Sequence, residues 1–302
     1  MVLMNKRSSA VLAVAATSSL LLSACGSGSS HDTSGPRVVA ASYPFAYVAQ
    51  QVAGDNVTVD NLTNPGAEPH DIELKPRQVA DVQNADLLVF SGGFQPAVDD
   101  AEEQADLADK SLLDVTKIVE VLRADDDNGH VDPHTWLNPL NQIKLADAVA
   151  KKLAVLDPDN AATYTDNAAT LTTQLTTLDA DFSAGLKDCD TRTIVTSHAA
   201  FAYLADRYGL LQVAIAGLNP SAEPSPSQLA AITALVRKEK VTTIFTEALV
   251  SPAIAKTVAN ETGAALATLD PIEGLSDKTI DENYITLMRK NLQAIEKANN
   301  CS

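Results

Sequence analysis

The feature that most constrains this chain is one long helical stretch set between two runs of alternating short strands and helices. Before it, Val38–Ser42, Val57–Leu62 and Leu87–Phe90 are apolar or β-branched runs bounded by turn residues, with helical segments opening at Pro44 and spanning Gln95–Asp109. After it, Thr193–Thr196, Leu211–Ile215, Thr243–Thr246 and Ala264–Leu269 alternate with helical stretches around Ala199–Tyr208, Pro226–Lys238 and Pro252–Thr262. Strands that alternate with helices build parallel sheets, because a parallel crossover needs a connection of helix length. Leu87–Phe90 is apolar throughout, as a strand covered on both faces must be. Between the runs lie helices over Leu140–Leu156 and Pro158–Lys187. The second carries Leu171, Leu175 and Leu178 at helical spacing among many Thr, Asp and Asn, the pattern of a half-exposed strut. The expected fold is α/β, with two lobes over 37–157 and 189–302, each holding a mostly parallel sheet, joined by one long backbone α-helix over 158–188. Ligands of such folds bind in a cleft at the carboxyl ends of the strands.

The first residues read as a targeting signal over 1–24. Lys6 and Arg7 precede an apolar stretch, Ala10–Leu22, that is too short to span a bilayer, and Leu22-Ser23-Ala24-Cys25 closes it with small residues before a cysteine. That ending resembles a lipobox, which implies cleavage before Cys25, lipidation of Cys25 and attachment to the bacterial cell membrane. A Gly- and Ser-rich tether over 25–36 follows, and the folded part is expected to work outside the cytoplasm.

With Lys+Arg 22 against Asp+Glu 39 and a formal net charge of -17, the chain has no basic face for nucleic acid; an acidic surface favours cations. The three cysteines contain no Cys-x-x-Cys pair, so a bound metal would need His and carboxylate ligands.

Of the five histidines, three stand where α/β folds place binding residues. His70 follows the turn at Pro65-Gly66, His134 lies beside the single tryptophan and just before a helix, and His198 directly follows the strand Thr193–Thr196. Imidazole is the commonest neutral nitrogen ligand for metal ions. Asp270, ending the strand Ala264–Leu269, is the chosen fourth ligand. Glu73 and Glu247 are candidates to receive the other ring N–H of a ligating histidine. His130 and His31 read as loop and tether residues.

Four segments carry a family resemblance. Pro69-His70-Asp71-x-Glu73-x-x-Pro76, Asp132-Pro133-His134-x-Trp136-Leu137-x-Pro139, His198-Ala199-Ala200-Phe201-x-Tyr203-Leu204 and Leu269-Asp270-Pro271 resemble the solute-binding lipoproteins of zinc and manganese ABC importers. The resemblance implies helix-linked lobes that hand an ion to a membrane permease, with His70, His134, His198 and Asp270 as ligands. In that family a Glu in the place of His198 goes with manganese and a His with zinc. Many zinc-specific members also carry a long His-rich loop before the second motif, which here is the short Asp125–His130.

The donor chemistry points the same way. Three imidazoles and one carboxylate suit tetrahedral Zn²⁺, whereas Mn²⁺ prefers oxygen-rich octahedral surroundings. The expectation is a monomeric, non-enzymatic zinc-binding protein. A manganese-binding homologue, a zinc hydrolase and a surface adhesin are the alternatives. Cys189 and Cys301 are expected to pair in an oxidising compartment, with two free thiols as the alternative.

Overall fold

The computed structural model describes residues 35–124 and 129–302. The segment expected to be a signal peptide, Cys25, His31 and all but the last two residues of the expected tether lie outside the described residues, as does the acidic run 125–128. No helix among the described residues is long and apolar enough to cross a membrane.

Two four-stranded parallel sheets form the frame. The first has β1 (Arg37–Ala40), β2 (Thr58–Asn61), β3 (Leu87–Phe90) and β4 (Leu112–Asp114) in the order β2-β1-β3-β4. The second has β5 (Thr193–Thr196), β6 (Leu211–Ala214), β7 (Thr243–Thr246) and β8 (Ala265–Thr268) in the order β6-β5-β7-β8. Each sheet thus winds out from its first strand in both directions, and the reversal point between first and third strand is where such sheets bind ligands. β1 and β3 are buried along almost their whole length, as central strands between helices should be.

The connections are α1 (Tyr43–Ala53), α2 (Pro76–Gln83) and α3 (Pro96–Ala105) in the first half, and α6 (Ala202–Tyr208), α7 (Pro226–Lys238) and α8 (Ala253–Thr262) in the second, with α9 (Tyr284–Asn299) at the end. Proline opens α1, α2, α3 and α7 within their first two positions, where its missing N–H costs nothing. α2 and β4 have no counterpart in the sequence reading: α2 buries only Val82, and β4 is three residues long. The helix expected from Ala199 begins three residues later, at Ala202, leaving His198 on a bend.

Between the sheets in sequence run α4 (Pro139–Leu156) and α5 (Ala161–Gly185). α5 buries Tyr164, Ala168, Leu171, Leu175, Leu178 and Phe182, a stripe three and four residues apart that packs on α1, α4 and α9. On its exposed side Thr165, Thr170, Thr173, Thr176 and Thr177 donate their hydroxyls to the carbonyl four residues back, which satisfies the side chains of a threonine-rich face within the helix.

One apolar cluster covers the first sheet, the long helices and one face of the second sheet. The opposite face of that sheet has its own small core under α7 and α8. The split follows the strand period of two: Ile194 and Phe245 belong to the main cluster, and their neighbours Val195 and Ile244 to the small one. Cys189 and Cys301 are joined by a disulfide with an S–S distance of 2.02 Å.

Candidate metal centre

Four buried side chains converge at the carboxyl ends of the strands: His70, His134, His198 and Glu273, with one donor atom from each lying within 4.8 Å of all the others. His70 lies on the loop after β2. His134 precedes the 3-10 turn Thr135–Leu137 at the start of α4, His198 follows β5, and Glu273 lies five residues past β8. Each half of the chain therefore contributes two donors.

Glu273 Oε1 is the hub, 3.0 Å from His134 Nε2, 3.2 Å from His198 Nε2 and 3.4 Å from His70 Nε2, and the His134 and His198 Nε2 atoms are 3.3 Å apart. Donors about 2.0–2.2 Å from a tetrahedral ion lie about 3.3–3.6 Å from one another, so these separations are close to the edges of such a shell.

Carboxylates fix the orientation of two rings. Asp132 Oδ1 is 2.7 Å from His134 Nδ1 and also accepts the His134 backbone N–H. Glu247 Oε2 is 2.7 Å from His198 Nδ1, and its Oε1 accepts the His198 backbone N–H. With Nδ1–H donated outward, each neutral ring turns an Nε2 lone pair toward Glu273. Lone pairs and a carboxylate at these distances repel unless positive charge lies among them, whether protons or a cation. Acidity records the same demand. Burial opposes charge on His198, yet Glu247 and then Glu273 override it and raise its pKa to about 10. His134 is raised in the same way, with burial opposing and Asp132 prevailing. Burial also opposes the charge on Glu273, but His134 and His198 hold it well below the usual carboxylate range.

Apolar and hydrogen-bonded groups hold the frame. The His70 ring meets Phe94 edge-on at 4.8 Å. Tyr203 donates its hydroxyl to the Asp132 carbonyl and accepts the Leu122 N–H, bracing the turn that carries His134.

The carboxylate that the structure places among the three histidines is Glu273, not the expected Asp270. Asp270 is buried but lies outside the cluster, because its Oδ1 accepts the Ile272 N–H at 2.8 Å and closes a tight turn. Asn291 grips the Asp270 backbone from both sides, accepting from its N–H and donating to its carbonyl, while Trp136 Nε1 donates to Pro271 O. Ile272 is held at φ 58°, a left-handed conformation that a β-branched residue rarely adopts. The turn reverses the chain after β8 and delivers Glu273 to the histidines. Burial pushes the Asp270 carboxyl up to about 6. Glu73 is exposed and makes no hydrogen bond to the histidines, since the loop has already turned outward toward α2. Glu247 stands against His198.

Two parallel-sheet lobes with a nitrogen-rich cluster buried at their strand ends define a two-lobed solute-binding protein. The chain belongs to the family described as ZnuA, zinc-uptake complex component A, periplasmic, whose model matches residues 38–298. It is 35% identical over 303 residues to the zinc-binding lipoprotein AdcA of Streptococcus pneumoniae, covering 95% of this chain and 60% of AdcA. It is 33% identical over 305 residues to the high-affinity zinc uptake system protein ZnuA of Bacillus subtilis, covering 94% of this chain and 96% of that protein. Among solved structures, the Zn(II)-bound ZnuA-like domain of Streptococcus pneumoniae AdcA superposes with a TM-score of 0.76 at 36% identity, over 88% of this chain and 99% of that one. The laminin-binding protein Lmb of Streptococcus agalactiae, described as having adhesin and metal-transporting activity, gives 0.78 at 33% identity over 87% and 99%.

Proposed function

We propose that the protein captures Zn²⁺ outside the cytoplasm and delivers it to the permease of an ABC importer, with His70, His134, His198 and Glu273 as ligands. The observation that carries this reading is the convergence of four buried donor atoms, three of them nitrogen, within 4.8 Å of one another. The ion is cargo, held and later surrendered. Four protein donors fill a tetrahedron and leave no position for an activated water, which favours binding over hydrolysis and makes the protein a carrier, not an enzyme. The relatives named for zinc binding and zinc uptake support the same cargo. In this reading Cys25 carries the lipid that keeps the protein, as a monomer, at the membrane surface near its permease.

The test is a competitive titration of the tag-free chain with Zn²⁺ and Mn²⁺. One tightly bound Zn²⁺ per chain, with Mn²⁺ markedly weaker, is the expected result. Equal affinities would overturn the assignment to zinc, and no binding of either would end the proposal.

A further inference from the structure

Asp71, next to His70, is exposed, and both partners of its carboxylate lie on the other half of the chain. Ser221 donates its hydroxyl to Oδ2 at 2.7 Å, and Asn219 donates Nδ2 to Oδ1 at 3.2 Å. The receiving turn is preorganised, because Asn219 Oδ1 accepts the Ser221 N–H at 2.7 Å and Asn219 O accepts the Ala222 N–H. It connects back to the third histidine, since Gly217 O accepts the N–H of Ala199, the residue after His198. On the other side of Asp71, Glu68 accepts the N–H groups of both His70 and Asp71, so the carboxylate and the His70 ring belong to one tight turn. A second bridge, Gly66 N–H to Leu275 O at 2.7 Å, joins the same loop to the segment of Glu273. Beside the clasp lies a cavity of about 450 Å³ walled by Glu68, Ser197, Ser221, Glu223, Leu249 and Ser251, so Ser197, next to His198, and Glu68, which accepts the His70 N–H, share it with Ser221 of the clasp.

We infer that the Asp71–Ser221/Asn219 contact is a clasp over the metal centre that sets how long the ion stays. Asp71 touches no donor atom; it acts through His70 as a positioning residue. Hydrogen bonds to a charged carboxylate are the stronger kind. Because these groups meet only when the two loops are together, their loss falls on dissociation and leaves capture unchanged.

The inference rests on the zinc-carrier reading, and the experiment separates the two. Full-length protein loaded with Zn²⁺ is mixed with excess chelator in a stopped-flow instrument, comparing the parent, Asp71→Ala, the pair Asn219→Ala/Ser221→Ala, and all three together. The expected result is release faster by about tenfold in Asp71→Ala and in the pair, with unchanged association rate and one Zn²⁺ per chain. The triple variant should be no faster than either parent variant, because all three side chains make one contact. Acceleration in Asp71→Ala alone would mean a local disturbance of His70 and overturn the clasp, as would release within twofold of the parent in both. A parent chain that binds no Zn²⁺ overturns the carrier reading itself.

Discussion

Against its burial, Glu247 and Glu273 favour a proton on His198 in the metal-free protein, one that zinc must displace. In the metal-free protein its pKa is raised to about 10, so at neutral pH the Nε2 lone pair that would bind the ion is occupied. A raised histidine pKa stabilises the metal-free fold below about 6.5, and that contribution disappears as the pH climbs through about 10. Zinc affinity runs the opposite way, increasing by about tenfold per pH unit for each proton released across that window. Calorimetric titrations at pH 8 in buffers of different ionisation enthalpy should show at least one proton released per Zn²⁺; none released would remove the charged His198. The carboxylates behind the rings are the second residue-scale test. Glu247→Ala and Asp132→Ala should each weaken zinc by about 10–100-fold, the usual effect of losing a carboxylate behind a ligating histidine. Glu273→Ala should weaken it more, and Asp270→Ala less. The opposite order would restore Asp270 as the ligand.

At the scale of elements, the turn after β8 decides the fourth donor. Asn291, from α9, is its anchor, and Asn291→Ala leaves the Asp270 N–H and carbonyl without their buried partner, a destabilisation of roughly 2–4 kcal/mol in urea unfolding of the metal-free protein. Zinc affinity should fall with it, since the turn presents Glu273; full retention of affinity would show that Glu273 is positioned otherwise. This turn also marks where sequence reading stopped. His70, His134 and His198 were legible because each follows a strand or precedes a helix inside a motif marked by proline, by aromatic residues or, for His134, by both. Glu273 was not, because its direction depends on an Asx turn and a left-handed isoleucine that are held by two long-range hydrogen bonds, one from Trp136 before α4 and one from Asn291 on α9. A signal was present in Asp270-Pro271-Ile272-Glu273-Gly274, where Asp-Pro announces a turn. The main strands were readable from their apolar runs, whereas β4 is too short, and α2 too polar, to stand out.

Across the whole molecule, the matching order of the two sheets left no trace in the residues, since it is a repetition of path and not of side chains. The disulfide is independent of the centre: it joins positions at the amino end of β5 and beyond α9, 112 residues apart in sequence. Cys189→Ser/Cys301→Ser should therefore lose about 3–5 kcal/mol of stability in chemical unfolding while binding zinc normally. A large loss of affinity would tie the far end of the sheet to the ion. Because two donors come from each half of the chain, neither half is more than a bidentate chelate. Tight holding arises from the effective concentration of one pair of donors in front of the other, and a small separation of the pairs abolishes it. If the protein is the carrier proposed above, a permease would need no stronger ligands of its own: drawing the two chelating pairs apart would turn a four-point grip into two weak ones.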